Sequence, residues 1–65
     1  MIKITEQLNA GKYTVLCLDA PVPLQRFDKV GIDGNLYEAE IVYDLPRSIG
    51  IMATGNFVGK KIEFL

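Results

Sequence analysis

A chain of 65 residues is the size of one domain spanning residues 1–65, and it buries only about 60% of its unfolded surface, so its stability margin is thin. Seven basic and eight acidic side chains leave a net charge of −1, which excludes strong electrostatic steering toward nucleic acid or an anionic membrane. One cysteine and no histidine exclude an internal disulfide framework, a Cys/His zinc site within one chain, and the commonest general base.

Residues 1–5 alternate Ile2 and Ile4 against Lys3 and Thr5, a short strand pattern. Leu8-Asn9-Ala10-Gly11-Lys12 breaks it with turn formers, and a helix over 5–10 would be only about one and a half turns. Residues 13–18 are nearly continuous apolar, which predicts a central strand covered on both faces, or one that bends so that different residues reach the core. Cys17 lies in that run and reads as a small hydrophobe. Asp19-Ala20-Pro21-Val22-Pro23 follows. Two prolines two apart remove backbone donors and force extended geometry, so the segment is a stiff connector across one end of a barrel.

The chain is organised around residues 27–43, where two alternating runs flank Asp33-Gly34-Asn35, the signature of a β-hairpin. A two-residue loop at Gly34-Asn35 pairs Ile32 with Tyr37 and Lys29 with Glu40. A loop at Asp33-Gly34 pairs Val30 with Tyr37 and Lys29 with Glu38. Both registers keep apolar opposite apolar and Lys opposite Glu, and both predict a buried face of Val30, Ile32, Tyr37, Ala39 and Ile41.

Pro46 stops the hairpin's second strand, and residues 48–54 read as another strand, with Ile49, Ile51 and Ala53 on one face. Gly50 inside it predicts a bulge or a barrel corner. Residues 55–59 predict a turn of 3₁₀ helix with Phe57 or Val58 plugging the barrel end. Residues 60–65 form the last strand, with Ile62 and Phe64 inward. Five or six short strands with turn signals between them predict an all-β domain. A small SH3-like barrel with a central hairpin fits best, ahead of an oligonucleotide-binding (OB-like) barrel or a compact β-sandwich.

No catalytic motif emerges, and no cofactor is implied. Gly55-Asn56-Phe57-Val58-Gly59-Lys60-Lys61 has three residues between its glycines and a strand after its lysines. A phosphate loop needs four residues, a Ser or Thr, and a helix. Glu38 and Glu40 share an outer strand face, roughly 7 Å apart, with no pocket around them. Residues 28–44 carry five acids against Lys29, and residues 45–65 carry Arg47, Lys60 and Lys61 against Glu63. A closed sheet brings such segments together.

The expected function is a non-enzymatic protein-interaction module, an adaptor, inhibitor or oligomer subunit, since 49% hydrophobic residues are more than so small a monomer readily hides. Leu24, Phe27, Tyr43, Leu45 and Arg47 form the candidate contact patch, apolar with one charged arm. The alternative is a nucleic-acid-binding barrel using Arg47, Lys60 and Lys61 beside exposed rings. No apolar run approaches membrane-spanning length and no signal segment follows Met1, so a cytoplasmic setting without a membrane partner is expected.

Overall fold

The fold, a computed structural model, describes residues 2–23, 28–42 and 44–65. Six strands make up the regular structure: β1 (Ile2–Ala10), β2 (Tyr13–Leu18), β3 (Lys29–Ile32), β4 (Asn35–Ile41), β5 (Ser48–Ile51) and β6 (Lys61–Phe64). Every pairing is antiparallel, and the order β1-β2-β5-β4-β3-β6 closes on itself as a barrel. Closure decides for a barrel over a sandwich. β3, β4 and β5 run as a meander and β6 returns beside β3, a Greek key; the β1–β2 hairpin completes the wall.

The central hairpin turns at Asp33-Gly34, which sets Ile32 opposite Asn35, Val30 opposite Tyr37 and Lys29 opposite Glu38. Both turn residues have positive φ, 53° and 83°. That is the type I′ turn, whose twist matches that of the flanking strands. It decides between the two registers that side-chain parity leaves open.

Each strand sends alternate side chains into one core. Ile4, Leu16, Leu18, Val30, Ile32, Ile49, Ile51 and Ile62 are all nearly inaccessible. Phe57 joins them from the connection before β6 and is only 5% exposed. Its ring meets Tyr37 edge to face, with centroids 5.5 Å apart. Phe57 is therefore the plug; Val58 is exposed. The surrounding backbone is a turn closed by Lys60 N–H donating to Phe57 O, 3.1 Å, rather than a 3₁₀ helix.

Several expectations need correction. β1 does not stop at Thr5, and residues 5–10 are strand, not helix. Opposite β2, Ile4 pairs with Leu18 but Glu6 pairs with Cys17, leaving Thr5 as an extra, bulged residue. Its hydroxyl donates to Cys17 O, 3.2 Å. The bulge changes the parity of everything after it, turning Gln7 and Asn9 toward the barrel and Leu8 out, 67% exposed.

Gly50 is not a bulge. It pairs regularly with Val15 on one side and Glu40 on the other. β5 ends at Ile51, short of residue 54. Ile41 is not core but 62% exposed; among the described residues, the last bond between the β3 side and β4 is Ala39 N–H to Asp28 O. β2 is not covered on both sides, since Val15 and Cys17 on its outer face are half-buried. Ser48 Oγ donates to Cys17 Sγ at 3.8 Å.

Residues 19–23 are an irregular connector, as their prolines require. Val22 N–H donates to Pro46 O, 2.7 Å, and Asp19 Oδ1 accepts from Lys3 N–H, 3.0 Å, lacing this rim of the barrel together.

Candidate functional site

The ring of strands is closed, although β1 runs on past Ile4, the last of its residues bonded to the β6 side among the described residues, so most of the surface a partner can reach is outward side chains and the rims. Two outer faces stand out, and they lie on opposite sides of the ring.

The first face runs over β1, β2 and β5. Strand register places Leu8 beside Val15 and Val15 beside Gly50. The adjacent row places Ala10 beside Tyr13, and Met52, one residue past the end of β5, is bonded to β4 through its N–H to Glu38 O, 3.2 Å. Leu8, Tyr13 and Met52 are exposed and Val15 is half-buried. Gly50 contributes no side chain, and a Val42 methyl, Cγ2, lies 3.9 Å from its Cβ position. Carboxylates border it: Glu6 before Leu8, and Glu38 and Glu40 along β4. Glu38 has Lys29 opposite it on β3, and Glu40 pairs with Gly50 on β5.

The Thr5 bulge makes this strip. Unbulged alternation from Ile4 would turn Glu6 and Leu8 inward. One extra residue instead sends Gln7 inward, where its carboxamide is used in full. Phe57 N–H donates to Gln7 Oε1, 2.6 Å, and Gln7 Nε2 donates to Gly55 O, 2.6 Å, and to Asn9 Oδ1, 3.1 Å. Thr14, fully buried, donates its hydroxyl to Ala53 O at 2.6 Å. These bonds fasten the 53–57 connection across the barrel mouth and seat Phe57.

The second face is a cleft of about 470 Å³ on the outside of β6, β3 and β4, lined among others by Gly31, Asp33, Leu36, Lys61, Glu63 and Leu65. Gly31 sits between Leu36 on β4 and Glu63 on β6. Its missing side chain makes the floor. A carbon placed at its Cβ position would lie 3.9 Å from both Leu36 Cδ2 and Leu65 Cδ1, an ordinary contact distance. The two leucine methyls therefore stand no more than twice that far apart, and both leucines are exposed.

At the hairpin end of the cleft, Lys60 Nζ and Asp33 Oδ2 form an ion pair at 3.3 Å, the one ion pair among the described residues. It joins the acidic and basic halves of the sequence.

Of the patch expected from the sequence, Leu24, Phe27 and Tyr43 lie outside the described residues. Leu45 and Arg47 are exposed, beside the rim where Leu18 N–H donates to Arg47 O, 2.7 Å. Arg47 is not grouped with Lys60 and Lys61. Going round the wall, Leu18 and Ile4 stand between Arg47 and Lys60, each step a backbone bond or pairing. The lysines share their cleft with Asp33 and Glu63 in equal number.

Neither face is apparent from the sequence. The strip depends on a bulge that only the packing of Gln7 reveals, although its residues alternate plainly once Thr5 is skipped. The cleft has one sequence signal, a strand glycine flanked by Val30 and Ile32. Comparison with protein-family models, with curated proteins and with solved structures found no match to this chain, which leaves its function to be read from the barrel's own surface.

Proposed function

We propose that this barrel is a non-enzymatic protein-contact module whose main docking surface is the strip over β1, β2 and β5. One observation carries the reading: exposed Leu8 and Tyr13 and half-buried Val15 share the outer face of β1 and β2, and exposed Met52 follows directly after the neighbouring β5. Such a surface costs solubility unless another protein covers it.

The border identifies the partner's chemistry. Glu6, Glu38 and Glu40 call for a segment whose apolar side chains are flanked by Lys or Arg. A second copy of this chain would bring the same carboxylates toward each other. The nucleic-acid alternative draws less support, because Lys60 is held by Asp33 and Arg47 stands apart.

The test is a methyl and amide NMR titration with two capped peptides, one alternating Leu with Lys and one alternating Leu with Glu. Saturable shifts at Leu8, Tyr13, Val15 and Met52 with the basic peptide, weakened at least fivefold by Leu8→Ser, support the reading. Equal response to both peptides, or none, overturns it. So does a dimer in light scattering that Leu8→Ser converts to monomer.

A further inference from the structure

Past Ile4, β1 has a bare hydrogen-bonding edge, and we infer that the partner segment docks there as an added antiparallel strand, with an apolar residue followed two positions later by a lysine or arginine. The inference rests on the strip over β1, β2 and β5 being the docking surface, and it states how the partner is held. β6 covers only the start of β1. Ile2 pairs with Ile62 and Lys3 with Lys61, and the last bonds are Ile4 N–H to Lys60 O, 2.9 Å, and Gly59 N–H to Ile4 O, 2.8 Å. β1 itself continues to Ala10.

Hairpin parity fixes which groups that remainder presents. Ala10 and Tyr13 flank the two-residue loop Gly11-Lys12, so they exchange both backbone bonds. Leu8 and Val15, two residues on, do the same. The alternate pairs, Gln7 with Leu16 and Asn9 with Thr14, exchange none, so the N–H and C=O of Gln7 and Asn9 point away from β2. Among the described residues nothing bonds these groups on that side. The 55–57 connection reaches β1 through the inward Gln7 carboxamide and leaves the backbone edge bare. Residues 6–10 hold no proline and no lysine, the usual guards of an open edge, and their register is regular.

Two donors and two acceptors in a row match an extended segment. Partner residues opposite Gln7 and Asn9 would each exchange both bonds with β1. β2 and β6 both run antiparallel to β1, and an antiparallel segment continues the line of β6. Partner residues opposite Glu6 and Leu8 then lie on the outer face, in the pairs whose side chains come closest. An apolar residue opposite Leu8 extends the apolar surface of Leu8 and Val15, and a cation opposite Glu6 forms an opposite-charge cross-strand pair. Antiparallel direction puts the apolar residue first and the cation second, an order that side-chain contact with the strip alone does not require.

The probe is the capped pentapeptide Val-Thr-Leu-Thr-Lys, whose residues face Ala10 to Glu6 in that order. At saturation, amide hydrogen exchange of Gln7 and Asn9 should slow at least fivefold, while the Leu8 amide, already bonded to Val15, stays unchanged. N-methylation of the second threonine, which faces Gln7, should weaken binding at least tenfold. N-methylation of the leucine, whose N–H faces solvent, should change it less than twofold. The reversed peptide Lys-Thr-Leu-Thr-Val should bind at least threefold more weakly. Saturable shifts at Leu8 and Val15 with the Gln7 and Asn9 amides exchanging as before overturn the added strand and leave the strip reading standing. Equal cost of the two N-methylations, or equal affinity for the reversed peptide, does the same. No response at any of these residues overturns both.

Discussion

Replacing Gln7 by Met keeps the length of the side chain and removes its hydrogen bonds, which isolates what the carboxamide contributes. Two bonds hold the backbone of the connection before β6: Phe57 N–H to Oε1 and Nε2 to Gly55 O, each 2.6 Å. A typical protein hydrogen bond contributes about 0.5–1.5 kcal/mol net, so the pair is worth roughly 1–3 kcal/mol. In a domain of this size each kcal/mol shifts the melting temperature by about 4–8 °C. Gln7→Met is expected to melt roughly 8–16 °C below the native chain for a loss near 2 kcal/mol. Circular dichroism at a strand wavelength reads the transition. Near-ultraviolet dichroism should report loosening of the Tyr37–Phe57 ring pair before global unfolding.

Gln7→Glu sharpens the test. The carboxylate still accepts from Phe57 N–H, but its second oxygen faces the Gly55 carbonyl where the amide had donated. Only the protonated acid restores that bond, so folding raises the group's pKa above its unfolded value of about 4.3. The restored stability is fully present below the unfolded pKa and lost as pH rises through the folded one. The gap between native and Gln7→Glu melting temperatures should therefore narrow on acidification. A Gln7→Met variant melting within about 2 °C of the native chain would show that the clamp contributes nothing, and the explanation of the bulge would fall with it.

Two glycines should respond in opposite directions. Gly34→Ala should cost about 1–2 kcal/mol by denaturant titration, because φ is +83° and no neighbour lies within 4 Å to share the blame. Gly50→Ala should be neutral or stabilise by about 0.5–1 kcal/mol, since its φ is not positive and its nearest contacts, at 3.9 Å, are ordinary. Ile49→Ala removes a fully buried side chain and should cost about 2–5 kcal/mol, enough to populate the unfolded state measurably at 37 °C. Asp33→Asn keeps a residue type that tolerates φ of 53° but breaks the ion pair with Lys60. With the partners 43% and 68% exposed, the loss should stay below about 1 kcal/mol at low salt and vanish near 1 M.

The hairpin was legible because parity binds both of its strands. Both two-residue-loop registers give Val30 an apolar partner, Tyr37 or Ala39, and set Lys29 opposite a glutamate. Parity could not choose the turn; that took φ at Asp33 and Gly34, a backbone property of the folded chain. A plug in residues 55–59 was legible from the glycines around two apolar residues, but only burial distinguishes Phe57 from exposed Val58. β1 was misread for a physical reason. Strand alternation predicts faces only while pairing is unbroken, and the bulge at Thr5 exists because Gln7 finds Phe57 and Gly55 some fifty residues away. Ile41 shows the same limit: it alternates correctly with its neighbours and pairs with buried Ile49, yet it is exposed. The strip and the cleft inherit these non-local causes, which is why neither could be named from local pattern.

β6 is four residues long, yet it alone joins β3 to β1. A protease nick in the connection from Met52 to Lys60 would free it and bare two hydrogen-bonding ladders at once. The β6 of a neighbouring molecule matches that gap residue for residue, and Gly55 and Gly59, both at positive φ, give the connection its hinges. A protein that is self-sufficient as a ring thus carries a latent route to strand-exchanged chains.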